Sequence, residues 1–338
     1  MKSLSHSLIP VSCLLTALLF FACSEEKVSA PVNKTPAVSW DSFSVRAKAP
    51  KWNNGRTAAV TITYDSRWNG DSLVRHTIYE ALDRGLPISL EMVTSYFVDE
   101  PELLLEIQEL HREGVSFYGH GHTHANFDDM SYDFCFDQFQ RCFQYMQAWG
   151  LNPKSYAYPY GKGFKSTTKL ANRMAGFICA RGLTFLSNPN YICEYDDPAP
   201  LDWHYLPCIS IAKEYEGYVN NHDMLSKVLD INLEKTSWVI LMYHSIGFPD
   251  AWGYYPMDDY LADLDDIVSG DFWCASMDDV ACYISERNGF YISAKEMESS
   301  DDRAVYQVRF IDRLDNDVYD YPLTVDLSFD GADVEKIS

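Results

Sequence analysis

The first half of the chain alternates between apolar runs and segments whose apolar positions follow the helical period. Residues 58–64 are almost entirely apolar or β-branched, which predicts a buried strand, and residues 87–93 predict a second strand. Residues 77–84 between them have a helical pattern that stops at a glycine. Pro101 then opens another predicted helix, which ends at Gly114.

The same alternation continues to about residue 288. Further strands are predicted at residues 115–118, 155–158, 177–180, 205–211, 238–243 and 272–275. Further helices are predicted at residues 134–149, 166–175, 258–267 and 278–287. Repeated strand–helix units imply a parallel sheet, either open or closed into a barrel.

The pattern changes after Asn288. Apolar residues at positions 306, 308 and 310, and again at 323, 325 and 327, alternate with polar neighbours. A period of two is typical of antiparallel strands with one solvated face. We therefore predict a domain of strand–helix units over residues 56–288 and a small β-rich region over residues 289–338.

The N-terminus has the features of an export signal. Lys2 is followed by an apolar run that is too short to span a bilayer and that ends before Cys23. We predict a signal peptide over residues 1–22, a lipid on Cys23 and a linker that extends to residue 55; an ordinary signal peptide cut nearby is the alternative. This predicts an exported lipoprotein of a bacterial cell envelope. The acidic run Ser24-Glu25-Glu26-Lys27 hints at the outer-membrane surface.

Composition narrows the choice of partners. The formal net charge of -22 opposes binding to nucleic acid, because phosphate groups would be repelled. The 338 residues are 47% hydrophobic, enough for a large core. No Cys-x-x-Cys spacing occurs among the nine cysteines, so zinc-ribbon and thioredoxin-like sites are not predicted. Nothing in the sequence indicates an oligomeric state.

Polar side chains with catalytic potential follow several of the predicted strands. Asp65 and Ser66 follow the first, three histidines from His120 to His124 follow the third, and His244 follows the late apolar strand. Active sites of parallel α/β sheets and barrels gather at the carboxyl ends of the strands. We therefore expect these side chains to meet.

His120 and His124 have the spacing of a metal site. On a helical turn, residues four apart lie on one face and their imidazoles can share a metal ion. His122 would then point away from that ion. The spacing alone also fits a pair of histidines without a metal.

Taken together, these motifs resemble the polysaccharide deacetylase family, the family-four carbohydrate esterases with the NodB-homology domain. Residues 63–66, Thr-Tyr-Asp-Ser, are similar to the family's Thr-Phe-Asp-Asp motif. Residues 120–127 resemble its His-x-x-x-His motif with the segment that follows, and residues 158–161 contain its Pro-Tyr-Gly. Residues 241–244 resemble its late Leu-x-His strand end. The resemblance covers roughly residues 56–285.

The resemblance implies a distorted (β/α) barrel and a hydrolase that removes N- or O-linked acetyl groups from a polysaccharide. It implies a divalent metal, usually zinc, held by His120 and His124. Asp65 would be the general base toward a water molecule, and His244 the general acid toward the leaving group. The backbone N–H of Tyr160 would stabilise the oxyanion.

Two departures from the family pattern bear on activity. The metal-ligand Asp of the family is Ser66 here, followed by Arg67, and a neutral hydroxyl is a poor ligand for a divalent cation. Ala157 stands where many members have an arginine that orients the base. Arg181, after the next strand, could supply that charge, although a surface salt bridge is the alternative.

Three functions remain open at this point. The first is an active metal-dependent deacetylase, with Pro159 and Trp203 lining the substrate groove. The second is a catalytically impaired protein of the same fold that binds glycan, which Ser66 and Arg67 favour. The third is a structural lipoprotein. Metal content separates the first from the second, and glycan affinity separates the second from the third.

Overall fold

Residues 37–39, 44–184, 190–299 and 304–330 are described by the computed structural model. The predicted signal peptide, the lipid-bearing Cys23 and the acidic run after it lie outside these residues. Within the described part of the chain, no helix is long and apolar enough to cross a membrane.

Fifteen strands and seven α-helices are found in the described residues. The strands are β1 Ala37–Ser39, β2 Ser44–Lys48, β3 Ala58–Tyr64, β4 Ile88–Met92, β5 Ser116–Gly119, β6 Ser155–Ala157, β7 Cys179–Arg181, β8 Ile209–Ser210, β9 Trp238–Tyr243, β10 Ser245–Ile246, β11 Tyr254–Tyr255, β12 Phe272–Cys274, β13 Tyr291–Ser299, β14 Ala304–Ile311 and β15 Asp326–Asp330. The helices are α1 Ser72–Asp83, α2 Pro101–Arg112, α3 Tyr132–Ala148, α4 Ser166–Met174, α5 His222–Glu234, α6 Met257–Ser269 and α7 Met277–Gly289.

The main sheet is parallel and curls on itself. Its strands run in the order β7-β6-β5-β4-β3-β9-β8, and β12 pairs with the first half of β3. β12 and β4 thus lie along the same edge of β3, because β4 pairs with the second half of β3. Isolated parallel bridges from Arg181 to Leu206 and from Thr184 to Ile209 join the two ends of the path. The predicted distorted (β/α) barrel is therefore confirmed.

The alternation of side chains along β3 explains how the barrel orients its site. Val60 and Ile62 belong to an outer cluster that the surrounding helices cover. Ala59 belongs to an inner cluster, and the Thr61 hydroxyl donates to the Ala275 carbonyl at 2.8 Å. Because strand side chains alternate between the faces, the odd-numbered positions point inward. Asp65 continues that inward series just past the end of the strand.

Helix α1 begins earlier than its sequence pattern predicted. We expected it over residues 77–84, whereas it starts at Ser72. The side chain of Asp71 accepts hydrogen bonds from the backbone N–H groups of Leu73 and Val74, so it satisfies donors that a helix start leaves without partners. This cap extends the helix by one turn beyond its apolar stripe.

The antiparallel strands predicted after Asn288 are present, and they include a partner from the N-terminal side. β13 pairs with β14, while β15 pairs with β2. β2 lies in the segment that we predicted as linker, residues 23–55. Val45 and Ala47 on one face of β2 are buried in a cluster with Ile292, whereas Arg46 and Lys48 on the other face are exposed. This alternation covers only five residues, which is too short to have predicted a strand from the sequence.

Candidate active site

Asp65 is held in a buried position at the end of β3. Its backbone N–H donates to the Tyr243 carbonyl at 2.8 Å, and its carboxylate is only 6% exposed. One carboxylate oxygen accepts hydrogen bonds from the Tyr118 hydroxyl and the Arg181 guanidinium. The other lies 3.8 Å from Nε2 of His244. Burial alone would raise the pKa of Asp65, but these positive and hydrogen-bonding partners lower it below its usual value.

Arg181 reaches Asp65 from inside the barrel rather than from its surface. Its side chain is 1% exposed, which removes the alternative of a surface salt bridge. In the pairing of β6 with β7, Arg181 stands directly opposite Ala157, the position where an arginine was missing. The cation therefore comes from the neighbouring strand at the same level, and the small Ala157 side chain occupies little of the space between them.

His120 and His124 come together, although not on a helical turn. Their ring centroids are 4.9 Å apart. The segment between them is a loop with Gly121 at φ 91° and His124 at φ 54°, both incompatible with a right-handed helix. The two rings are therefore adjacent without a helical turn between them. The imidazole of His122 points elsewhere, toward the Thr94 hydroxyl at 3.0 Å.

The protonation of His120 follows from its contacts. Its Nδ1 lies 2.9 Å from the Ala157 carbonyl oxygen, which can only accept, so Nδ1 carries the proton. Burial outweighs the attraction of Asp65 and lowers the pKa of His120 to about 3. At neutral pH the ring is therefore uncharged, and Nε2 presents a lone pair.

The lone pair of His120 faces a carboxylate that the motifs did not reveal. Oε2 of Glu91, on β4, lies 3.2 Å from His120 Nε2. Burial, with the negative charge of Asp65, raises the pKa of Glu91 to about 8 despite the opposing charge of Arg181. Ligand atoms of Glu91, His120 and His124 all lie within 4.8 Å of one another. Two imidazoles and one carboxylate form a donor set typical of a divalent transition metal.

His244 completes the group beside Asp65. It follows β9 and keeps 18% of its side chain exposed. Burial lowers the pKa of His244 to about 4, against the raising effect of Asp65, so its imidazole is uncharged at neutral pH. The indole of Trp252 packs perpendicular to the imidazole, with ring centroids 4.3 Å apart. The side chain that was expected to act as an acid therefore lies at the edge of the site, next to solvent.

The remaining predicted residues occupy different surroundings. Tyr160 is 61% exposed, and its hydroxyl lies 3.2 Å from Nδ1 of His124. Pro159 is buried in the same short helical turn. Trp203 packs partly buried against the inner cluster, and its carbonyl accepts from the Ala180 N–H at 2.8 Å. The roles that we predicted for the Tyr160 backbone and for Trp203 remain predictions.

Ser66 and Arg67, the two departures from the family motif, have contacts of their own. The guanidinium of Arg67 stacks over the Tyr96 ring at 4.5 Å and is exposed. Ser66 is half-buried, and the carboxylate that accompanies the two histidines comes from Glu91 instead. Residues 88, 90 and 92 of β4 belong to the outer cluster, so Glu91 faces the barrel interior, which the sequence alternation alone did not show.

Comparisons with known proteins bear on the family and the fold. Residues 53–177 match the model of the polysaccharide deacetylase family. A gellan lyase from a Bacillus species is 22% identical over 311 residues, which cover 87% of this chain and 12% of that protein, so the chain spans about an eighth of the length of this relative.

Two solved structures are similar to this chain to different degrees. A probable polysaccharide deacetylase from Pseudomonas aeruginosa is similar with a TM-score of 0.51 and 14% identity, over 71% of this chain and 94% of that one. A family 4 carbohydrate esterase from Streptomyces lividans gives a TM-score of 0.43 at 11% identity, over 68% of this chain and 95% of that one. The first of these supports the barrel fold. The resemblance drawn from the motifs is confirmed, and residues 53–177 of this chain match the model of the polysaccharide deacetylase family.

Proposed function

We propose that this protein is a metal-dependent deacetylase that removes acetyl groups from a polysaccharide, with Glu91, His120 and His124 as the metal ligands. The observation that carries the proposal is the carboxylate of Glu91 facing the lone pair of His120 at 3.2 Å, beside the buried Asp65. Glu91 supplies the acidic ligand that Ser66 cannot supply.

The residues present fit a divalent metal. A carboxylate oxygen and an unprotonated imidazole nitrogen are both acceptors, so a proton or a cation is needed between them. Oε2 of Glu91 and Nε2 of His120 lie 3.2 Å apart, so both atoms could hold one small cation, with His124 near them. Zinc is the metal that this set of ligands suits best. When bound, it would polarise the acetyl carbonyl and acidify a water molecule.

The chain's own residues supply the proton transfers. The contacts with Arg181 and Tyr118 keep Asp65 ionised, so it can accept a proton from the attacking water. His244 is uncharged in the resting site and must gain a proton before it can act as an acid. Asp65 lies 3.8 Å from His244 and could pass that proton to it for delivery to the leaving amine or alcohol. The Tyr160 backbone N–H would serve the oxyanion.

A second candidate is a glycan-binding protein without hydrolytic activity. Ser66 favours it, because the family's usual carboxylate is missing at that position. This candidate needs no metal, so metal content distinguishes it from the deacetylase.

The test is to replace Glu91 and measure zinc and acetate release together. Purified protein should hold close to one zinc ion by elemental analysis, lose it to a chelator, and release acetate from acetylated xylan or chitin oligosaccharides when zinc is restored. Glu91→Gln should lower zinc affinity by at least about 100-fold. Glu286→Gln is the matched control, because Glu286 is a buried glutamate on α7 outside the metal ligands. A wild-type protein that takes up no zinc would refute the metal-dependent mechanism and favour the glycan-binding candidate.

We also propose that the protein is exported to the bacterial cell envelope and held at a membrane by a lipid on Cys23. The support is the sequence pattern of the first 23 residues. Expression of Cys23→Ser with labelled fatty acid tests it. Label incorporated equally by the variant and the wild type would contradict the assignment.

A further inference from the structure

The loop that follows His244 is held in place by its own hydrogen bonds and by a close contact with His244. The Ser245 N–H donates to the Gly253 carbonyl at 3.3 Å, and its hydroxyl donates to the Trp252 carbonyl at 2.8 Å. The two-stranded pairing of β10 with β11 closes the loop at its base. Gly253 has φ 75°, and a Cβ atom there would lie 2.7 Å from Cβ of His244. The backbone at Gly253 therefore passes directly against His244, and this contact fixes the position of the preceding residue, Trp252.

Trp252 presents an indole to solvent at the rim of the site. It is 54% exposed although it is among the largest apolar side chains of the chain. Its ring is held from two sides, by His244 and by Tyr215, whose ring centroid is 5.6 Å away. Tyr215 in turn packs against the buried Tyr218 at 5.4 Å. The exposed aromatic surface is thus supported by packing rather than mobile on a free loop.

We propose that Trp252, supported by Tyr215, is a stacking platform for one pyranose ring of the polysaccharide substrate. This inference rests on the proposed function, because it assigns the binding position of a sugar next to His244. The face of a pyranose that carries axial C–H groups is apolar and packs on aromatic rings, while its hydroxyl groups remain in water. A held, half-exposed indole beside the group that would protonate the leaving atom fits such a ring.

The charges around the platform define which sugars it accepts. Glu214 and Glu216 flank Tyr215, and Asp250 precedes Trp252 by two residues; all three are exposed. Lys213 is the nearby cation, and its ammonium lies over the Tyr254 ring at 5.9 Å. The local excess of negative charge repels uronic acids. The platform therefore takes a neutral or cationic pyranose.

Binding of sugars that lack acetyl groups tests the platform separately from the chemistry. We would titrate chelator-treated protein with cellotetraose, xylotetraose and tetragalacturonate by isothermal titration calorimetry. We expect binding of at least one neutral tetrasaccharide and none of tetragalacturonate. Trp252→Ala should weaken that binding about tenfold, whereas Trp252→Phe, which keeps a stacking ring, should stay within about threefold. Phe310→Ala is the control, because Phe310 on β14 is 48% exposed.

Each outcome decides the proposal. Failure of the wild type to bind either neutral tetrasaccharide, or equal affinity of Trp252→Ala and Phe310→Ala, would overturn it. Tighter binding of tetragalacturonate than of the neutral sugars would overturn the charge argument. Loss of acetate release with sugar binding intact would count against the proposed function alone. If the enzyme is active, Trp252→Ala should raise KM more than it lowers kcat, and unchanged thermal unfolding of the variant would show that the fold is retained.

Discussion

Replacement of Arg181 by methionine tests whether its charge is what permits Asp65 to remain ionised inside the barrel. The methionine keeps much of the apolar stem and removes the guanidinium that contacts Asp65 and Tyr118. Asp65 would then be a buried carboxylate without its main cationic partner. Removal of one partner from a buried ion pair costs about 3–5 kcal/mol of the free energy of unfolding.

The chain offers an exposed ion pair as the matched control. Arg56 and Asp271 lie 3.0 Å apart with side chains 50% and 53% exposed. Arg56→Met should cost less than about 1 kcal/mol, because solvent already screens that pair. Urea denaturation of both variants at pH 7 gives the comparison. Equal losses for Arg181→Met and Arg56→Met would refute the reasoning.

The pH dependence gives a second and sharper test of the same pair. In the wild type the pKa of Asp65 is lowered, so its contribution stabilises the fold above the unfolded pKa of 3.8 and is lost only as the pH falls further. In Arg181→Met, burial dominates and the pKa rises above 3.8. Between pH 3.8 and the raised pKa of Asp65, the folded variant then binds more protons than the unfolded chain. Its free energy of unfolding therefore falls as the pH rises through this range. The difference in the free energy of unfolding between the two proteins should therefore grow as the pH rises from 4 to 7.

Removing the unpaired charge of Asp65 should restore part of the free energy of unfolding that Arg181→Met loses. Asp65→Asn in the Arg181→Met background removes the unpaired charge, so the double variant should be more stable at pH 7 than Arg181→Met alone. A double variant less stable than Arg181→Met would show that the guanidinium acts through packing rather than charge.

Two further outcomes are expected. Ser66→Asp should leave the zinc content near one ion per chain, because Glu91 already provides a carboxylate; elemental analysis checks this, and zinc uptake only in the variant would contradict the role of Glu91. Gly253→Ala should lower the free energy of unfolding more than Gly150→Ala, in urea denaturation. Both glycines have positive φ, which costs alanine about 1–2 kcal/mol, but only at Gly253 would the added Cβ meet a neighbour, His244, within 3 Å. Equal losses would mean that the loop shifts without cost.

Residues at the ends of strands could be located from the sequence, because position alone identifies them. Asp65, His120, His124 and His244 each follow a predicted strand, and parallel strands bring such positions to one end of a barrel. The shape of the histidine loop could not be predicted, since a spacing of four fits a helical turn and also the observed loop with left-handed backbone at His124.

Glu91 escaped prediction for a physical reason. Strands of a parallel barrel are buried on both faces, so the alternation over residues 88–92 does not say which face is the interior. From the sequence, a glutamate one residue before the end of such a strand looks only like an interruption of the apolar run and does not indicate a functional residue. Only the pairing of strands shows that it faces a histidine. Arg181 was named as a substitute for a missing arginine, but its position opposite Ala157 likewise required the register between two strands.

The register between β4 and β5 also bears on the proposed role of Glu91 as a metal ligand. Glu91 pairs with Tyr118 on β5, and His120 lies two residues further along that chain. Two residues of strand correspond to a rise of about 6.6 Å, so a ligand at position 91 must extend along the barrel axis to reach the His120 ring. The side chain of glutamate is one methylene longer than that of aspartate, which adds to its reach. In the proposed site, a longer carboxylate on β4 thus compensates for the one that is missing after β3 at Ser66.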